Sequence, residues 1–169
     1  MLLSIDLFCE EGVQAPIATD EMEAICEMVL SEEGVTRPCF LSLSIVGDET
    51  IREHNHEWRD IDAATDVISL ECERPDDPDL APDEPCELGD LILAPDYIRD
   101  QAGRYATTVA DEFRLLLIHG LLHLLGYDHL EDEEAELMEA REDELLSKVA
   151  TDSPIDHVTL TRHREDEEA

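Results

Sequence analysis

The stretch from Leu115 to His129, LLLIHGLLHLLGYDH, constrains this chain more than any other. His119 and His123 are four residues apart, so on an α-helix they lie on one face, one turn above the other. Gly126 follows where a helix would need a left-handed C-terminal residue. The chain can then turn back and bring His129 towards the other two. Buried imidazoles need partners, and nothing nearby in that helix supplies them. Three imidazoles converging on one point suit a divalent metal. Zinc takes neutral histidine nitrogen, and three protein ligands leave a fourth position open for water or substrate. The spacing H-x3-H-x5-H therefore reads as a catalytic metal site. The helix is apolar nearly all round from Leu115 onward, which predicts that it is buried and central.

Composition sets the frame around that helix. The chain has 169 residues, 43% of them hydrophobic, enough for one domain with a real core. Residues 1–150 are read as that domain. Thr151 to Ala169 is acid-rich, without helical or strand period, and is expected to be a disordered tail. His157 and His163 lie in it and are not expected to bind metal, because nothing there holds them in place. No basic region followed by an apolar run opens the chain. The longest apolar stretch is too short to span a bilayer, so a cytoplasmic protein with no membrane partner is expected. Five cysteines form no C-x-x-C pair and read as reduced thiols, mostly core filler, with Cys39 foremost.

The net charge of −34 comes from 45 acids against 11 bases. Such a surface repels nucleic acid, because phosphate affinity rests largely on Lys and Arg. The acids crowd three segments, Glu71–Glu87, Glu131–Glu144 and Glu165–Glu168. Six of the ten arginines lie between Arg37 and Arg104, ahead of the histidine helix.

Taken in order, Leu2 to Phe8 reads as a strand. Asp20 with Glu23 makes a capping-box-like pair, and Met22, Ile25, Cys26 and Val29 give a helical apolar stripe that Gly34 ends. Cys39, Leu41, Leu43 and Ile45 alternate as the apolar face of a strand. A short helix is expected from about Glu49 to Glu57, then a strand from Asp66 to Leu70. Cys72 to Pro85 carries four prolines among acids and reads as a solvated connector. Leu88 to Leu93 is a strand with Gly89 marking a bulge or close backbone approach. Helices follow from Pro95 to about Gly103, from Thr107 or Thr108 to Leu125, and from Leu130 to Ser147. The last has an apolar edge of Leu137, Met138, Arg141, Leu145 and Leu146. Segregated strands and helices predict an α+β fold: a small mixed sheet, about four-stranded, packed with helices around the metal-binding helix.

Two families share the histidine frame. HxxxHxxGxxH is the ligand frame of the metzincin metallopeptidases, but those carry a glutamate base directly after the first histidine, and here that residue is Gly120. HGLLHLLGYDH instead resembles the YbeY family of bacterial endoribonucleases. Asn55 to Arg59, followed by Thr65-Asp66-Val67-Ile68-Ser69, is similar to that family's N-x-x-x-R and T-D-V-L-S-F. Gly89 to Leu93 is similar to its G-D-I-x-I segment. The ordered motifs cover about residues 40 to 147.

The resemblance implies one zinc ion per chain on His119, His123 and His129, with Arg59 as a catalytic group beside it. It implies a single-strand-acting endoribonuclease on ribosomal RNA precursors, in maturation of the small-subunit 3′ end and ribosome quality control. Given the charge, small-subunit ribosomal proteins or an assembly GTPase are expected as a docking surface. Arg59 has an alternative reading as a surface ion pair with Asp60 or Asp62. Asp66 orients a ligand or caps a turn, and Asp128 holds a histidine or serves the turn. A metallopeptidase, and a non-enzymatic assembly factor whose structural metal recruits Cys72 or Cys86, are the competing functions.

Overall fold

The computed structural model describes residues 3–128 and 131–152. Among these, the order is β1 (Leu3–Cys9), α1 (Thr19–Glu32), β2 (Cys39–Ile45), α2 (Asp48–Arg59), β3 (Val67–Glu71), β4 (Cys86–Leu93), α3 (Pro95–Arg104), α4 (Val109–Leu124) and α5 (Asp132–Leu146). The strands form one sheet in the order β1-β2-β4-β3. β1 and β4 run parallel to β2, and β3 runs antiparallel to β4. This is the mixed four-stranded sheet that the α+β reading predicts.

The alternation in β2 works as expected, with Cys39, Leu41, Leu43 and Ile45 all buried. In β4, neighbouring residues divide between two cores because successive side chains point to opposite faces. Leu91 and Leu93 join the larger core, which α1, α4 and α5 cover through residues such as Val29, Leu121 and Met138. Ile92 joins the smaller one with Val46, Ile51 and Ile68, which puts α2 over the other face. Gly89 satisfies both halves of its expectation. The β2–β4 register shifts between Phe40 and Leu41, opposite Glu87 and Gly89. Gly89 has φ +128°, and a Cβ there would stand 2.1 Å from the Leu70 carbonyl oxygen.

Several expectations are corrected. The first helix starts after Ala18, without a side-chain cap, so Asp20 sits inside its first turn. There it complements the helix dipole rather than capping. α2 is capped from a distance: Gly47 N–H and the Thr50 hydroxyl donate to the Glu10 carboxylate at 2.7 and 2.6 Å. These bonds favour the ionised form and hold Glu10 below the usual carboxylate range. Leu137 is 68% exposed and leaves the apolar edge of α5, where Glu142 takes a buried place beside Met138, Leu145 and Leu146. The edge follows the i, i+4, i+7 row 138–142–145, which Leu137 misses by one position.

The proline-rich connector is strapped down rather than merely solvated. Arg37 Nε donates to Pro75 O at 3.0 Å, and its Nη1 to Ala81 O and Glu84 O at 2.7 and 2.6 Å. Cys26, Cys39 and Cys86 are buried, Cys9 and Cys72 are exposed, and all five are free thiols. Burial pushes the Cys26 and Cys86 thiols up to about 12, which makes them unreactive filler. No helix among the described residues is long and apolar enough to cross a membrane. His129, Leu130 and residues 153–169, with His157 and His163, lie outside the described residues.

Candidate functional site

α4 begins cleanly. The Thr108 hydroxyl accepts from Asp111 N–H at 3.1 Å and caps its first turn. At its other end the chain closes in a Schellman arrangement. Gly126 N–H donates to His123 O and Tyr127 N–H to Leu122 O, both at 3.0 Å, with Gly126 at φ +109°. This cap also brings the Tyr127 carbonyl back onto the helix, where His123 Nδ1 meets it at 3.0 Å. The glycine that the sequence marks as a turn therefore also orients a histidine.

The second histidine is held from another helix. His119 Nδ1 is hydrogen-bonded to the Glu142 carboxylate of α5, a side chain in a residue only 1% exposed. The partners that the histidine helix itself does not supply thus come from its cap and from α5. A carbonyl and a carboxylate only accept, so in the neutral rings both Nδ1 atoms carry the proton and both Nε2 atoms present lone pairs. Those two Nε2 atoms lie 3.1 Å apart, with the rings at 83°. Two lone pairs at that separation repel unless an electron-pair acceptor stands between them. Two ligands of a tetrahedral zinc, each at about 2.0–2.1 Å, are about 3.3 Å apart. His119 and His123 therefore fit a divalent metal. His129, the third expected ligand, lies outside the described residues, and the described residues alone assemble no three-ligand group.

Gly120 lets this helix lie close over the sheet. A Cβ at that position would stand 2.2 Å from Leu91 Cδ1, and Ser69 Oγ donates to Gly120 O at 3.3 Å. The position where metallopeptidases of this frame carry their base faces β3 and β4 in this fold, and a glutamate there would collide with Leu91.

The imidazoles open into a cleft of 730 Å³, which Trp58, Arg59, Asp66, Arg74 and Asp128 also line. Arg59 is the last residue of α2 and is exposed. Its alternative partner Asp62 pairs with Arg52 instead, at 2.8 Å, and among the described residues Arg59 forms no ion pair. Asn55 holds the chain that follows it. Its Nδ2 donates to Ala63 O at 2.8 Å, and its backbone carbonyl accepts from Ile61 N–H at 3.2 Å. Asp60 between them takes the left-handed conformation, φ 58°. The N-x-x-x-R spacing thus has a physical reason: the asparagine pins the turn that fixes where the arginine stands.

Asp66 serves the turn into β3. Its Oδ1 accepts from Val67 N–H at 2.7 Å and its Oδ2 from Gln101 Nε2 at 3.3 Å. Burial pushes its carboxyl above the usual range, against the opposing pull of the Val67 amide. Arg74 comes from the proline-rich connector and is paired with Glu71 at 2.5 Å. Neither Cys72 nor Cys86 lines the cleft. Among the described residues, Glu142 meets His119 and the Tyr127 carbonyl meets His123; Asp128 is exposed and lines the cleft. Glu142 escaped the sequence reading, although one signal was there: it lies on the apolar row of its helix.

A family model described as endoribonuclease YbeY matches residues 9–150. The chain belongs to the YbeY endoribonuclease family. Curated relatives agree. The endoribonuclease YbeY of Bacillus velezensis is 38% identical over 151 residues, spanning 88% of this chain and 96% of its own. That of Bacillus subtilis is 37% identical over 149 residues, spanning 86% and 95%. That of an Exiguobacterium species is 42% identical over 130 residues, spanning 75% and 82%. The solution structure of TM1509 from Thermotoga maritima shares the fold, with a TM-score of 0.58 at 20% identity over 98% of this chain and 96% of that one. The family resemblance read from the motifs therefore holds.

Proposed function

We propose that this chain is a zinc-dependent, single-strand-acting endoribonuclease of ribosomal RNA maturation, acting at the 3′ end of the small-subunit RNA and in ribosome quality control. Residues 1–150 are its working unit and the cytoplasm its place of action. The observation that carries this reading is the pair of Nε2 atoms facing each other at 3.1 Å in the same cleft as Arg59. Family membership supports an RNA substrate.

His119, His123 and His129 would hold the metal. A zinc ion held this way supplies an activated water near neutral pH. The chain's own residues do the rest. Glu142 and the Tyr127 carbonyl keep the two imidazoles in one tautomer and orientation. Arg59 grips the scissile phosphodiester in bidentate fashion and offsets charge that grows as the bond breaks. Asn55 fixes the backbone turn that follows Arg59. Gly120, standing where metallopeptidases of this frame carry their glutamate base, speaks against that alternative.

The charge of −34 makes unaided phosphate affinity weak. Small-subunit ribosomal proteins or an assembly GTPase would therefore bring the substrate to the cleft. The test is cleavage of ribosomal and short unstructured RNA by zinc-loaded protein and by Arg59→Ala. The expected result is cleavage by the wild type and a loss of at least about 100-fold in the variant, the scale of removing one charge-stabilising donor. No RNA cleavage under any salt condition would overturn the proposal. Tight binding of bare RNA by the isolated protein at ordinary salt would overturn the need for a docking partner.

A further inference from the structure

We infer that Trp58 is a stacking platform for an unpaired nucleobase of the RNA strand whose phosphate Arg59 holds; this rests on the RNA reading above. α2 buries Ile51 and Asn55, which are four residues apart. Trp58 is the next member of that row, at i+7 from Ile51, and continues the stripe that the rest of the helix presses onto the protein. Yet the Trp58 residue is 58% exposed. The helix runs out over the cleft, so the last position of its inward row lines open space instead of core.

A large indole left mostly uncovered forgoes the stabilisation that burying its apolar surface would bring. A flat apolar ligand restores that burial. The neighbouring residue and the cleft say which one. Arg59 is the very next residue, has no ion-pair partner among the described residues, and suits a phosphate. A nucleotide offers both groups at once: a phosphate for the guanidinium and a base for the indole. Stacking is sequence-tolerant, since every base has a π-face. It also needs no positive charge, which is what a chain with 45 acids and 11 bases lacks. The same contact selects single strands, because a paired base keeps its faces covered by its neighbours.

Trp58 is the only tryptophan in the chain, so its fluorescence reports on itself. The full-length protein, with and without added zinc, is titrated with a short unstructured oligoribonucleotide carrying an end label. Anisotropy of the label reads binding and indole emission reads stacking. The expected result is saturable quenching that follows the anisotropy. Trp58→Ala is expected to bind about tenfold more weakly, Trp58→Phe to stay within a few-fold of wild type, and a fully abasic strand to cause no quenching. In cleavage assays the alanine variant is expected to raise KM with kcat little changed. Binding without quenching, or equal binding by Trp58→Ala, overturns the stacking role and leaves the nuclease reading standing. No binding of RNA by the wild type even at low salt, together with no cleavage of RNA, overturns both.

Discussion

α4 carries His119 and His123 and α5 reaches His119 through Glu142, yet the two helices could hardly be more different in composition. From Leu115 to Leu124, α4 is buried almost throughout, and its two histidines stand out as the only ring nitrogens in that apolar run. α5 is acid on most of its surface and buries only Met138, Glu142, Leu145 and Leu146. In α4 the candidate ligands are the unusual residues. In α5 the residue that meets them, Glu142, looks like all its neighbours, and only its place on the helix tells it apart. An ionisable group is informed by where it sits, because burial turns an ordinary carboxylate into one that must have a partner.

The sharpest way to break this contrast is to shorten one leucine in each helix, buried in α4 and exposed in α5. Leu121→Ala in α4 is expected to cost about 2–5 kcal/mol of unfolding free energy, because Leu121 is fully buried. Leu137→Ala in α5 is expected to stay within about 0.5 kcal/mol. Urea denaturation of both variants checks the pair, and equal costs would erase the difference between the helices.

A second substitution asks whether α5's one buried carboxylate serves α4. Glu142→Leu removes the acceptor of His119 Nδ1 and is expected to weaken zinc binding about 10–100-fold. Glu142→Gln keeps an acceptor oxygen and is expected to fall between. Chelator competition measures both, and an unchanged affinity in the leucine variant would make Glu142 packing only.

The smallest effect concerns a carboxylate that is informed by its place in a different way. Glu10 caps α2 from the end of β1, and Glu10→Ala is expected to cost about 1 kcal/mol at neutral pH. Its folded pKa is depressed, so the unfolded chain binds the proton more readily. The stabilisation is therefore full above the unfolded carboxylate pKa and is lost as pH falls through the lower, folded value. Wild type and variant are expected to differ in Tm at pH 7 and to converge in strong acid. A constant gap would mean that the charge is not what caps the helix.

Much of this arrangement was legible in the residues. The alternation over Cys39–Ile45, the apolar run around His119 and the glycine at 126 each follow from a local rule, and each holds. The G-D-L strand showed its bulge because a glycine inside a strand needs a reason. What stayed hidden is what depends on contact between distant segments. The cap of α2 comes from Glu10, 37 residues before the amide it holds. Arg37 straps a loop 38 to 47 residues further on. Glu142 meets a histidine 23 residues earlier. No periodicity records such pairings, and in a chain of 45 acids a carboxylate with a special task carries no mark of its own.

The most direct test is the metal content of purified, untagged protein by elemental analysis, beside His123→Ala. The expected result is about one zinc per chain in the wild type and none retained in the variant. Wild-type protein that carries no metal and takes up none from added zinc would contradict the account, and would leave His119 and His123 as hydrogen-bonded residues of a buried helix.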